Sequence, residues 1–387
     1  MAKKDASGYF PQHMTPGPFS LRAIFTAACL FTLAPAAPAQ DVPLPPVLAP
    51  HFSPPAKFAS ELGDFRSPLK FDDGTEVKTP ADWTLRREEI LYYWHGVMGP
   101  RPAVLAKPAI TVLREEKREN FRQQRVRVET APKQSQEGWL LIPEGAGPFP
   151  AVVVVFYEPE TSTGLKDPGK FRDYALELTR RGFVTLSIGS PGGDARKPEL
   201  GGAVCQPLSF HAYVAANCWQ ALANLPAVDA KRIGIVGHSY GGKWALFAGA
   251  LWDKFAAVAI SDPGIVWDEK RSNVNYWEPW YLGLDPKTTR GRGVITAENP
   301  RTGAYAQLVK DGRDLTDIHA LICPRPFLVS AGSEDPPERW IALNHSIAVN
   351  DLLGVKHRIG MTNRPAHSPD EAANAVVYGF FEHFLGK

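Results

Sequence analysis

The chain has 387 residues, 44% of them hydrophobic and 22% charged, with a formal net charge of +2. That length suits one large α/β domain or two small ones. The balanced charge, with no basic run interleaved with aromatics, excludes nucleic acid as an expected partner and gives no attraction to acidic surfaces.

In chain order, the first feature is a leader. Arg22 precedes an apolar stretch (residues 23–34), and Ala37-Pro38-Ala39 follows as a small-x-small cleavage pattern. This reads as a signal peptide over residues 1–39, with Met14 as an alternative start that gives it a more usual length. The apolar stretch is too short to span a bilayer and lacks a stop-transfer flank, so no membrane is expected for the mature form. Cys29 lies inside the apolar run, which argues against a lipoprotein site there. Export to the periplasm or beyond leaves Cys205, Cys218 and Cys323. An oxidising compartment permits a Cys205–Cys218 disulfide, whereas the position of Cys218 among Ala and Trp reads as a buried free thiol. Zinc-type Cys/His spacings are absent, and neither metal nor cofactor is expected.

Residues 40–56, rich in Pro and Ala, read as an extended linker, and 57–108 as an N-terminal helical cap segment. The cap includes a helix from Trp83 to Trp94, with Thr79 or Asp82 at its start and Pro100 and Pro102 beyond its end. Residues 109–113 and 124–130 alternate as half-exposed antiparallel strands do, and 139–143 follows as a third strand. Residues 151–156, almost all valine, read as a strand covered on both faces. From there strand and helix alternate: helix 171–181, strand 183–188, helix 207–225, strand 232–236. A further helix starts at Gly242, and strand 256–260 follows it. After a long insertion come strand 325–330, helix 337–351, strand 358–361 and helix 370–385. Antiparallel strands followed by repeated βα units predict a mostly parallel, doubly wound sheet.

Between strand 232–236 and the helix after it stands Gly237-His238-Ser239-Tyr240-Gly241. A G-x-S-x-G between strand and helix forces a sharp turn that only small flanking residues tolerate, and it lifts the serine hydroxyl above the sheet edge. A serine hydroxyl is a poor nucleophile until an imidazole accepts its proton, and the imidazole needs a carboxylate to fix its tautomer. Ser239 is the expected nucleophile. His367, just after the last strand, is the expected base. His357 precedes that strand and falls at the wrong end of the sheet. Three carboxylates follow strand ends: Asp335, the leading choice of acid, then Glu334, then Asp262 in Ser261-Asp262-Pro263-Gly264.

This order of Ser, acid and His on successive strand ends resembles the α/β-hydrolase fold over residues 109–387. The resemblance implies an oxyanion hole from two N–H groups. One is Tyr240 N–H, at the start of the helix. The other comes from the loop after 151–156, where Phe156-Tyr157-Glu158-Pro159 stands instead of the His-Gly of many esterases. Tyr157 N–H is the expected donor, or Glu158 N–H if the strand runs longer, with the Tyr157 hydroxyl as a further contributor. Residues 263–323 form an aromatic-rich lid insertion, with Trp267, Tyr276, Trp277 and Trp280 as candidate substrate-binding rings. Flat rings with interspersed amides and carboxylates suit sugar faces, although such rings also serve simply to pack a lid.

Gly241-Gly242-Lys243-Trp244 resembles exported carbohydrate esterases and dienelactone-hydrolase-like proteins. Residues 83–90 with Met98-Gly99-Pro100-Arg101-Pro102 resemble the N-terminal segments of acetyl xylan and glucuronoyl esterases. Glucuronoyl esterases usually carry Arg directly after the serine, where this chain has Tyr240, which argues against uronate esters as the main substrate. The resemblance implies an exported serine carboxylesterase acting through an acyl-enzyme on a saccharide ester, with an acetyl ester as one form. Two alternatives differ in class. A peptidase of the prolyl-oligopeptidase type is disfavoured because residues 40–108 are too few for a propeller domain. A saccharide-binding protein on a decayed hydrolase fold is disfavoured by the intact trio. The oligomeric state is not encoded in any readable pattern.

Overall fold

A computed structural model describes residues 43–386. The leader reading over residues 1–39, including Cys29, lies outside them.

The expected linker does not run free. Leu48 and Phe52 are buried, a short 3₁₀ turn spans Ala49–His51, and the Phe52 ring lies 6.3 Å from that of Phe380. The reason is local: three large apolar residues (Leu44, Leu48, Phe52) among the prolines recur on one side of the segment and have an apolar surface to cover.

Helix α1 (Pro80–Met98) opens with a capping box, in which Thr79 accepts from Asp82 N–H and Asp82 returns the bond. Three antiparallel strands follow: β1 (Ile110–Arg118), β2 (Phe121–Ala131) and β3 (Gln134–Pro143). Then come β4 (Phe149–Val155), α2 (Pro159–Ser162), α3 (Tyr174–Arg180), β5 (Val184–Ile188) and α4 (Pro207–Ala223). Ser239 stands between β6 (Val228–His238) and α5 (Tyr240–Leu251). The chain closes with β7 (Ala257–Ser261), α6 (Gly303–Lys310), α7 (Thr316–Ile322), β8 (Phe327–Ala331), α8 (Trp340–Leu352), β9 (Ile359–Asn363) and α9 (Glu371–Leu385).

The nine strands form one sheet in the order β1-β2-β3-β5-β4-β6-β7-β8-β9. Pairings from β1 to β3, and β3 with β5, are antiparallel. The remaining five are parallel. This is an α/β-hydrolase fold. Strand periodicity separates the two apolar layers. Val152, Val154 and Val236 face α3 and α9, while Val153, Val155 and Ile235 face the layer of α4, α5, α7 and α8. Because β4 and β6 to β9 all run the same way, the segments after β6, β7, β8 and β9 emerge on one edge.

Cys205, Cys218 and Cys323 are free and buried, so the permitted bridge does not form. Among the described residues no helix is long and apolar enough to cross a membrane.

Candidate active site

Ser239 sits between β6 and α5 with φ 55° and ψ −113°, a strained conformation for a residue with a side chain. The flanking glycines are a steric requirement. A Cβ at Gly237 would lie 2.2 Å from the Gly241 carbonyl oxygen, and one at Gly241 would lie 2.0 Å from that of Val155. The turn lifts the serine hydroxyl to 2.9 Å from His367 Nε2. His367 lies in the loop between β9 and α9, and its Nδ1 is 2.8 Å from Asp262 Oδ2. Serine, imidazole and carboxylate therefore form one continuous hydrogen-bonded chain.

The carboxylate that reaches His367 is Asp262, at the end of β7, and not Asp335. Asp262 adopts φ 49°, in the left-handed region, and its buried carboxylate accepts N–H bonds from Gly332 (2.6 Å), Glu334 (3.1 Å) and Asp335 (3.0 Å). The turn after β8 thus wraps its amides around Asp262. Asp335 points the other way. It accepts from Gly264 N–H (2.9 Å) and Ile265 N–H (2.7 Å) and fixes the turn that carries Asp262. Burial, reinforced by the charge of Asp262, pushes the Asp335 carboxyl up to about 7. Glu334 is occupied by Asn273 Nδ2 at 3.1 Å and the Ser333 hydroxyl at 3.0 Å. Asp262, Glu334 and His367 bring ligand-type atoms within 4.8 Å of one another, and two of the three, Asp262 and His367, belong to the hydrogen-bonded chain from Ser239.

Two supporting residues had no sequence signal. Arg364 is buried, and its guanidinium donates to the carbonyls of Ser330 (2.8 Å), His367 (2.7 Å) and Ser368 (2.8 Å), tying the His367 loop to the end of β8. His238 packs its ring 4.8 Å from that of His367. Burial, then the neighbouring His367, hold His238 well below the usual imidazole range, so it stays neutral. Its Nδ1 lies 3.0 Å from the Ser261 hydroxyl. Only long-range contacts made these two residues part of the site.

Tyr240 opens α5, so its N–H has no carbonyl one turn below. Its side chain is buried, donating to Ser190 Oγ at 3.1 Å and lying 3.0 Å from His211 Nε2. Tyr157 follows β4 and stacks on the Tyr240 ring at 4.8 Å, and its carbonyl is held by Ser190 N–H at 3.0 Å. The Tyr157 hydroxyl faces Ser239.

The lid aromatics divide. Tyr276 and Trp277 are buried, with Tyr276 OH donating to the Gly264 carbonyl (2.8 Å) and Trp277 Nε1 to that of Gly293 (2.8 Å). Trp267 packs edge-on against Tyr276 and Tyr305, and its Nε1 donates to Arg313 O at 2.7 Å. These three rings hold the insertion together, and Tyr276 and Trp277 are interior. Trp267 and Trp280 stay half-buried. Lys243 is likewise committed: its buried ammonium donates to the carbonyls of Pro263 (2.6 Å) and Asn273 (2.8 Å), and burial pulls it down to about 8.

A model of the prolyl oligopeptidase family matches residues 209–302, a stretch that carries the Ser239 turn and Asp262. No curated protein sequence matches the chain. Among solved structures, a glucuronoyl esterase from Solibacter usitatus superposes with a TM-score of 0.64 at 17% identity, covering 82% of this chain and 97% of that one. A promiscuous CE15 esterase from a marine bacterial metagenome gives 0.63 at 18%, covering 83% and 96%. A putative acetyl xylan esterase from Bacteroides fragilis gives 0.52 at 14%, covering 82% and 87%. At these identities the shared property is the fold.

Proposed function

We propose that the protein is an exported serine esterase that cleaves an ester of a plant-type saccharide through an acyl-enzyme. The observation that carries this reading is the unbroken chain from Ser239 Oγ through His367 to Asp262, at 2.9 and 2.8 Å. His367 takes the Ser239 proton as the hydroxyl attacks the ester carbonyl. Asp262 holds the imidazole tautomer and stabilises the imidazolium, and His367 then protonates the leaving alcohol. Water repeats the sequence to free the acyl group. Tyr240 N–H and the N–H of Tyr157 serve the oxyanion, with the α5 dipole adding to the first. The fold shared with glucuronoyl and acetyl xylan esterases supports a carbohydrate ester as substrate class. Tyr240, with its side chain turned into the interior, supplies no cation beside the serine, which favours an acetyl or other simple acyl ester over a uronate ester.

The test is hydrolysis of p-nitrophenyl acetate, then of acetylated xylan, by the mature chain and by Ser239→Ala. Loss of Ser239 should lower kcat by about 10⁴-fold or more. Retained activity in the variant would exclude this mechanism. The prolyl oligopeptidase match favours a second reading, peptide-bond cleavage by the same residues. Anilide turnover rivalling ester turnover would select it.

A further inference from the structure

We infer that the sugar part of the substrate binds in a cavity on the β5 side of Ser239, and not beneath the aromatic lid. The inference rests on the saccharide-ester reading above. The cavity, of about 520 Å³, is bounded by the start of β3, the segment after β4 and the segment after β5, all at the edge where Ser239 stands. That volume falls in the range of small-molecule sites.

The cavity reaches the catalytic serine through two of its lining residues. Tyr157 forms part of its wall, stacks on Tyr240 and turns its hydroxyl toward Ser239. Ser190, also in the wall, accepts from Tyr240 OH. A sugar seated here has an aromatic ring, 40% exposed, at the end nearest the reacting carbonyl.

The lining is polar, and much of its bonding capacity is free. Gln136 Oε1 is buried without a donor. Among the described residues, the side chains of Lys133, Ser135 and Glu199 make no hydrogen bond or ion pair with another group. An unpaired buried acceptor is costly unless a ligand or water supplies the donor, and a sugar hydroxyl does so. The charges in the wall nearly cancel. Glu137 is paired with Arg125 (2.6 Å) and Arg127 (3.0 Å), and Glu158 with Lys166 (3.0 Å), which leaves Lys133 against Glu199. A neutral, hydroxyl-rich ligand fits this balance better than an anion. The lid side offers the opposite situation. There Lys243 is spent on backbone carbonyls, and Glu278 is buried against Arg290 at 3.1 Å.

The experiment compares kcat/KM for an acetylated xylo-oligosaccharide with that for p-nitrophenyl acetate in the full mature chain, in Ser135→Trp, which fills the cavity from an exposed strand position, and in Trp280→Ala on the lid side. The ratio of the two constants should fall about tenfold or more in Ser135→Trp, the scale of one or two lost hydrogen bonds. In Trp280→Ala it should change little. An unchanged ratio in Ser135→Trp, or a fall confined to Trp280→Ala, overturns the inference and leaves the esterase reading standing. Wild-type turnover of p-nitrophenyl acetate with no turnover of any sugar ester removes the saccharide reading and this inference with it.

Discussion

Asp262 and Asp335 lie on adjacent turns, and each carboxylate binds the backbone that carries the other. Asp262 gathers three amides from 332–335, while Asp335 gathers those of Gly264 and Ile265. Only Asp262 has an oxygen left for His367. The second carboxyl is buried beside a like charge, which is why it holds its proton up to about 7 against an ordinary value of 3.8. A group that binds its proton more tightly folded than unfolded contributes stability that is complete below the unfolded value and lost as pH rises through the folded one. Asp335→Asn, neutral throughout, should therefore gain on the wild type as pH rises from about 4 to about 7.5, read as the difference in urea midpoints. A difference that stays constant across that window would contradict the assignment. The serine and the histidine were legible in the sequence because a strand-turn-helix context and a final-strand position each admit one candidate. The acid was not, since Asp262, Glu334 and Asp335 all follow strand ends. The deciding facts are the left-handed backbone of Asp262 and the direction of three amides, neither of which leaves a mark in residue type.

At the scale of elements, the strands were readable wherever burial on both faces demanded an unbroken apolar run, as in β4 and β8. Helices α6 and α7 were not. Each is under nine residues long and lies inside what reads as one irregular insertion. The aromatic cluster in that insertion has the composition of a sugar platform, yet Tyr276 and Trp277 are interior residues with their polar atoms bonded to the backbone. Composition alone does not distinguish a ring that packs from one that binds. Trp277→Ala should thus destabilise the protein by about 3–5 kcal/mol, as large-to-small core changes do. Thermal or chemical unfolding would register this. A variant of unaltered stability with a raised KM would return the ring to the binding role.

For the whole molecule, the significant feature is convergence. Ser239 follows β6, Asp262 follows β7 and His367 follows β9, three strands of one parallel run whose outgoing segments share an edge. Arg364 bridges the ends of β8 and β9, so the geometry depends on the sheet as a unit. The cavity by Tyr157 opens on that same edge, beside β5. In the proposed triad the chain order of serine, carboxylate and histidine is kept although the carboxylate comes from the end of β7 and not β8, because the two turns are neighbours and interlock. The most direct test of this assembly is kcat for p-nitrophenyl acetate in Asp262→Asn and Asp335→Asn, measured side by side near pH 8. The account predicts a loss of about 10³–10⁴-fold in Asp262→Asn, from the wrong imidazole tautomer, and a much smaller loss in Asp335→Asn. A large loss in Asp335→Asn with activity retained in Asp262→Asn would contradict it.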